Sequence, residues 1–297
     1  MKRILSAIVL SCLAQTGLAK PFETVFPDVA FQDKSDPIFA ILSSMDYQQG
    51  RIDLPGGQAY LDVPDDYYYL SPADTNTVLV DLWGNPNGDS LGMIFPVSYT
   101  PLDENAWGAI LSWDDIGYVS DKDAATIDYD DLLRTMQRDT LAENDWRVSN
   151  GYEKITLEGW AEAPKYDVAV RKLHWAQELA FDGAPVNTLN YNLRALGRKG
   201  VLQLNFVAGM YQLEEVKAAL PSVAKMTAFQ EGARYADFDP SIDQVAAIGI
   251  GGLIAGKVAA KTGLIAVALI FLKKFWFLAL LPIAWLRSWV SKRKEDA

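Results

Sequence analysis

A polar hydrogen-bonding surface is predicted where two strand-like segments meet at a short turn. The segments NTLNYNLRAL and VLQLNF flank Gly197-Arg198-Lys199-Gly200, a connection typical of a β-hairpin. With that loop, Leu196 should pair with Val201. Alternate residues of both strands then share one side of the sheet: Asn190, Asn192, Arg194, Gln203 and Asn205. A sheet face that carries amides and one guanidinium, with few of the Lys/Glu pairs of an ordinary solvated surface, is suited to hydrogen bonding with a polar ligand.

The preceding strand-like segment, VRKLHWAQELAF, could extend this surface. Leu173, Trp175 and Leu179 share one side of it, which places His174 and Glu178 on the other. We expect this second side to lie beside the hairpin amides and to add an imidazole and a carboxylate to a pocket. The alternatives are simple solvent exposure, or a structural polar layer beneath a loop or helix.

Several chemistries are excluded by residue type and spacing. His174 is the only histidine, so metal sites built from several histidines are ruled out. No nucleophile elbow, phosphate-binding loop, dinucleotide fingerprint or nucleic-acid module is present. The acidic run DDIGYVSDKDAATIDYDD lacks calcium-loop spacing because Ala125 stands where a ligand belongs, and we expect Asp121 and Asp128 to cap helices instead. The sequence predicts no catalytic residue, metal or cofactor, and favours a protein that is not an enzyme.

The elements that must position the polar surface lie between residues 50 and 240. A hairpin turns at Gly56-Gly57, a helix begins after Ser71, and longer helices are expected at 127–147 and about 211–228. Between them the strand-like segments follow one another with few helices. This order predicts an α+β domain whose antiparallel sheet is packed on one face by helices, preceded by a lead-in segment at 20–49.

The first 19 residues have the pattern of a secretory signal peptide. MKRILSAIVLSCLAQTGLA begins with two basic residues, continues with a short apolar run and ends with small residues. Its Cys12 is the only cysteine, so the mature domain should have no thiol. An alternative is that Val-Leu-Ser-Cys is a lipoprotein box, which would make Cys12 a lipidated N-terminus. Either pattern predicts export, to the periplasm or the cell exterior.

The end of the chain predicts a membrane anchor. Residues 245–261 should form a small-residue amphipathic helix, 262–286 a transmembrane helix and 287–297 a basic cytoplasmic tail. Lys273 and Lys274 lie near the middle of the span, where each lysine raises the free energy of membrane insertion by about 2.5–3.5 kcal/mol. Together they nearly cancel the favourable insertion free energy of the apolar residues. Such a helix should associate with itself or a membrane partner, and we assign this contact to Gly252, Gly256, Lys273 and Lys274. The alternative is a pair of re-entrant or surface-lying helices.

Charge is distributed unevenly along the chain. The formal net charge is −11, but residues 20–244 alone carry −19, while the C-terminal region is basic. An acidic domain of this kind should repel nucleic acid and anionic headgroups. We therefore expect no nucleic-acid partner, and a membrane association that depends on the C-terminal segment.

Long stretches of the sequence resemble one bacterial family. DLWGNP, GMIFP, LEGWAEAPKYD, NTLNYNLRALGRKGVLQLN and YADFDPSIDQVAAIGIGGLIAGKVAAKTGL are similar to domain-of-unknown-function family 2167, a group of uncharacterised membrane-anchored proteins. The resemblance implies an exported domain with a C-terminal membrane segment, and no activity or site.

Two functions follow from these patterns. The first is a membrane-anchored envelope protein that acts as an interaction or scaffold module through its membrane segment. The second is an exported ligand-binding sensor or enzyme that uses the polar sheet face around His174 and Arg194. Melting-temperature shifts with ligands and association of the membrane segment would separate them.

Overall fold

One large antiparallel sheet organises the protein. The computed structural model describes residues 18–29, 37–85, 89–103 and 105–256. Its strands are β1 (Leu18–Lys20), β2 (Tyr47–Asp53), β3 (Ala59–Val63), β4 (Tyr67–Leu70), β5 (Gly92–Pro96), β6 (Gly108–Asp114), β7 (Ile155–Asp167), β8 (Lys172–Phe181), β9 (Thr188–Leu196), β10 (Val201–Gly209) and β11 (Thr227–Phe229). The spatial order is β11-β3-β2-β4-β5-β6-β10-β9-β8-β7, with β1 beside β2. The predicted α+β class with an antiparallel sheet is confirmed.

Helices cover both faces of this sheet, not one as predicted. The α-helices are α1 (Phe22–Val25), α2 (Pro37–Ser44), α3 (Pro72–Asn76), α4 (Tyr129–Ser149), α5 (Leu213–Met226) and α6 (Ile250–Ile254), and a π-helix at Thr77–Leu82 extends α3. One apolar cluster, on what we call the α4 face, includes Met136 of α4 and Leu253 of α6. The other, on the α5 face, includes Val216 and Val223 of α5. Every residue of β9 is buried, since this central strand is covered from both sides.

The β9–β10 hairpin has the predicted register. Leu196 pairs with Val201, Arg194 with Gln203 and Asn192 with Asn205. A short loop between antiparallel strands fixes their register, because few loop geometries connect them without a slip. The polar residues of the two strands therefore lie on one face, as expected.

Of the two aspartates predicted to cap helices, one does so and the other does not. The Asp128 carboxylate accepts hydrogen bonds from the backbone N–H groups of Asp130 and Asp131 at 3.0 and 2.9 Å, which caps α4 as predicted. Asp121 does not cap a helix. It forms an ion pair with Arg171 and accepts a 2.9 Å hydrogen bond from the Tyr166 hydroxyl, so it connects the loop after β6 to β7 and to the β7–β8 turn.

The lead-in segment is part of the core. Phe22, Phe26 and Tyr47 are buried, and their rings contact one another at centroid distances of 5.1 to 5.9 Å. Aromatic clusters of this kind bury large apolar areas, so residues 20–49 contribute directly to the α4-face cluster. The signal sequence at 1–19 falls outside the described residues except for Leu18 and Ala19, which lie in β1.

The segment before α6 pairs with the loop that follows β6. Val245 makes a parallel bridge with Tyr118, and α6 covers only Ile250–Ile254, a shorter helix than the 245–261 expected. Gly256, with φ of 69°, adopts a left-handed conformation that ends the helix. The predicted transmembrane helix and tail, with Lys273 and Lys274, lie outside the described residues. Within the described ranges, no helix has both the length and the apolar character needed to cross a membrane.

Candidate functional site

A cavity of about 490 Å³ lies between the sheet and helices α4 and α6. The five polar residues of the β9–β10 hairpin form its floor, together with Trp175 and Gln177 of β8 and Asp114 of β6. Apolar side chains of α4 and α6, among them Met136, Leu253 and Ile254, form its walls. Ligand pockets commonly have volumes of about 300–1,000 Å³, apolar walls and a few convergent polar groups.

Arg194 is the cation at the centre of the floor. It is 8% exposed, and burial lowers its pKa to about 10, which leaves it charged at neutral pH. Its Nη2 donates to Asn192 Oδ1 at 2.9 Å and to Asn205 Oδ1 at 3.2 Å, and its Nη1 donates to the Leu193 carbonyl at 3.2 Å. The guanidinium also lies 5.1 Å from the Trp175 ring centroid, a cation–π contact.

The charge of Arg194 is balanced by dipoles rather than by an adjacent carboxylate. Among the described residues, no carboxylate lies within ion-pair distance of its guanidinium. Asp114, the acidic group of the floor, instead accepts a hydrogen bond from the Gln203 amide. Burial raises the pKa of Asp114, an effect that the positive charge of Arg194 partly opposes.

The guanidinium also determines which way the floor amides point. An arginine can only donate, so Asn192 and Asn205 must turn their oxygens toward it. The Nδ2 of Asn192 then donates to Asn190 Oδ1 at 2.6 Å. Neither Asn190 Nδ2 nor Asn205 Nδ2 has an acceptor in the described part of the chain, and both residues line the cavity.

The indole N–H group of Trp175 is also without a hydrogen-bond partner in the described part of the chain. The residue is 2% exposed, and its Nε1–H has no acceptor among the described residues. An unpaired buried N–H group costs about 1–3 kcal/mol. Nε1 has almost no accessible surface, however, so the N–H groups that the floor presents to an acceptor in the cavity are those of Asn190 and Asn205.

Carboxylates line the outer part of the cavity. We call Asp89, Asp139 and Glu143 the rim; the first two are exposed and Glu143 is half-buried. Partial burial raises the pKa of Glu143, and the nearby charge of Asp139 raises it further, while Arg147 lowers it. The cavity is thus rich in donors at its floor and acidic at its opening.

Comparison with known proteins gives the family of the chain. A family model described as a protein of unknown function, DUF2167, matches residues 46–284. The chain belongs to the DUF2167 family. This confirms the resemblance stated above for the family; the membrane anchor implied by that resemblance stays a prediction. No curated protein matches this DUF2167 chain.

One solved structure shows a distant likeness. The solution structure of cyanobacterial PsbP (CyanoP) from Synechocystis sp. PCC 6803 is 12% identical to the DUF2167 protein, with a TM-score of 0.34. The match covers 61% of this chain and 91% of the PsbP chain. A TM-score this low supports no conclusion about fold or function.

Two of the predicted site residues lie on the other face of the sheet. In the β8–β9 register His174 pairs with Leu193, so its side chain is on the α5 face, where Nδ1 lies 2.9 Å from the Tyr191 hydroxyl. Burial lowers the pKa of His174. Glu178 shares this face and accepts a 2.7 Å hydrogen bond from Asn187. The expectation that both would join the hairpin amides is corrected: Trp175 and Gln177 occupy those places.

The sequence interpretation missed most of the DUF2167 cavity lining, including three polar or aromatic residues of its floor: Trp175, Gln177 and Asp114. The sequence pattern places Trp175 on the side opposite the amides and Asp114 in the acidic run, and it gives no role to Gln177. An available signal was the alternation of β6, where Ser112 pairs with Gln203 and Asp114 with Val201 on the same face. Among the described residues, no group of three or more histidine, cysteine or acidic side chains could hold a metal ion.

Proposed function

We propose that this DUF2167 protein binds a small polar molecule in the cavity above Arg194. The observation that carries the proposal is a buried guanidinium whose amide partners leave N–H groups facing an open volume. Each unpaired donor is costly in a domain that is only marginally stable, and an acceptor-bearing ligand would recover that cost. The arrangement favours binding over catalysis, because it contains no paired nucleophile and general base.

We also propose that the binding domain is exported and tethered to a membrane by its C-terminal segment. The signal-like sequence at 1–19, the apolar stretch at 262–286 and the basic tail at 287–297 support this topology. Reporter fusions after residues 244, 261, 274 and 297 should place the first on the exported side and the last in the cytoplasm. A C-terminus found on the exported side would contradict a single span.

Association through the membrane segment is a second proposal, favoured by the charged residues within the span. Replacing both Lys273 and Lys274 with leucine should dissociate complexes of the full chain that are resolved in detergent, because those charges need a partner or water inside the bilayer. Complexes that survive the double replacement would remove the basis for this role.

The binding proposal is tested by ligand screening with the full chain in detergent. A library of polar metabolites should contain compounds that raise the melting temperature, since binding to the folded state stabilises it by mass action. The shift should disappear in Asn190→Leu and persist in the matched control His174→Gln, which alters the opposite face. A screen without hits, or a shift that survives Asn190→Leu, would refute the assignment of the cavity.

A further inference from the structure

The donors on the cavity floor select a ligand group that accepts several hydrogen bonds. Asn190 Nδ2 and Asn205 Nδ2 have no acceptor among the described residues, and both residues line the cavity. A chain of hydrogen bonds runs from Arg194 through Asn192 to Asn190, and each link polarises the next. The Asn190 amide is therefore a stronger donor than an isolated carboxamide. A carboxylate, with two oxygens and about four acceptor sites, matches these donors.

Charge inside the cavity points to the same group. Arg194 is buried and has no carboxylate within ion-pair distance in the described ranges, while Asp114 is engaged with Gln203. A ligand carboxylate near the floor would lie in the field of this cation at low dielectric, where the attraction is far stronger than in water.

A simple anion, however, fits the opening poorly. It would have to pass Asp89, Asp139 and Glu143, on a domain that carries −19 over residues 20–244. Like charges disfavour such an approach, whereas a cationic group would relieve the repulsion among the rim carboxylates. The rest of the lining includes apolar side chains, among them Met136 of α4 and Leu179 of β8.

We infer that the ligand is a zwitterion of the peptide class, with its carboxylate on the Arg194–Asn192–Asn190 floor, its ammonium group at the rim and an apolar body between them. A short peptide with free ends, or an amino acid with widely separated charges, has this chemistry. The inference rests on the proposed binding function and specifies its ligand.

Matched peptides test the inference on the full chain in detergent by calorimetry. The dipeptide Ala-Leu and the tripeptide Ala-Ala-Leu are each compared with forms that are N-acetylated, C-amidated or blocked at both ends. The free peptide should bind most tightly. Amidation should weaken binding about tenfold or more, because it removes the charged acceptor. Acetylation should weaken it about two- to fivefold, because the rim is partly exposed.

Binding measurements on protein variants test which end of the peptide contacts the floor and which contacts the rim. Asn190→Leu should remove the difference between the free and the amidated peptide. Glu143→Gln should reduce the difference between the free and the acetylated peptide, whereas Asp145→Asn, an exposed carboxylate on the same helix outside the cavity, should leave it unchanged. These charge-specific readouts would not change if the residues had only structural roles.

The outcomes separate this inference from the binding function. A doubly blocked peptide that binds as tightly as the free one would overturn the zwitterion. If no peptide binds but another compound gives a thermal shift that Asn190→Leu removes, the zwitterion is refuted and the cavity function stands. If no compound binds at all, both are refuted.

Discussion

Replacing Arg194 with methionine should abolish ligand binding and leave the free energy of unfolding almost unchanged. The lowered pKa, about 10 against 12.5, means that the fold disfavours the charged guanidinium by about 3 kcal/mol. Methionine removes this cost. It also removes hydrogen bonds to Asn192, Asn205 and the Leu193 carbonyl, each with a net contribution of about 1 kcal/mol. The two effects nearly offset each other.

The freed amide oxygens border an open cavity, so water can replace the guanidinium as their donor. Asp114 loses a compensating charge but keeps the hydrogen bond that it accepts from the Gln203 amide. We therefore expect the unfolding free energy of Arg194→Met to lie within about 1 kcal/mol of that of the native protein. Urea unfolding followed by tryptophan fluorescence, together with ligand calorimetry, measures both properties.

Arg147→Met is the matched control. Arg147 is 2% exposed, its Nε donates to the Glu153 carbonyl at 2.8 Å, and it does not line the cavity. Its removal leaves Glu143 and Glu153 without its positive charge, so we expect a clearly larger loss of stability. Because Glu143 belongs to the rim, binding of an ammonium group there should be retained or strengthened, not lost. If Arg194→Met destabilises the protein by more than about 3 kcal/mol, Arg194 is a structural residue and the reasoning fails.

Three further changes test the fold on both faces of the sheet. The Lys172 ammonium donates to carbonyls at the end of α5, and burial lowers its pKa from 10.5 to about 8. Because the unfolded chain binds this proton more tightly, the unfolding free energy should rise as pH increases from about 8 to 10.5, and Lys172→Met should flatten that rise. Asp123 accepts from the Ile250 and Gly251 N–H groups at 3.0 Å, so Asp123→Ala should cost about 1 kcal/mol and speed hydrogen exchange at those two amides. Phe206 is fully buried on the α5 face, and Phe206→Ala should destabilise by about 3–5 kcal/mol in urea unfolding, with the Asn190-dependent thermal shift retained at lower temperature.

The hairpin floor could be predicted from the sequence because a local feature determines it. The Gly197–Gly200 turn fixes the register of its two strands, and alternation then assigns Asn192, Arg194 and Gln203 to one face. The placement of His174 could not be predicted in this way. The register of β8 against β9 depends on a longer connection than the hairpin turn. The amides also share their face with Leu173 and Trp175, whereas a sequence interpretation that groups polar residues together assigns these two to the opposite face.

The cavity itself depends on packing that no single segment encodes. It exists because α4 and α6 cover the polar floor without filling the space above it, and the sequence pattern placed helices on one face only. Asp114 reaches the floor through the pairing of β6 with β10, two strands that are distant in sequence. The direction of each amide depends on the guanidinium beside it, so the donors became recognisable only when Arg194 and its neighbours were placed together.

The short helix α6 has a mechanical consequence. It supplies Leu253 and Ile254 to the cavity wall, and it is fastened by the Asp123 carboxylate and by the Tyr118 bridge just upstream. Tension applied beyond Gly256 would reach this helix before any strand of the sheet. In a tethered protein, pulling on the anchor would loosen the wall of the cavity while the floor stays intact, so that ligand release would respond to force.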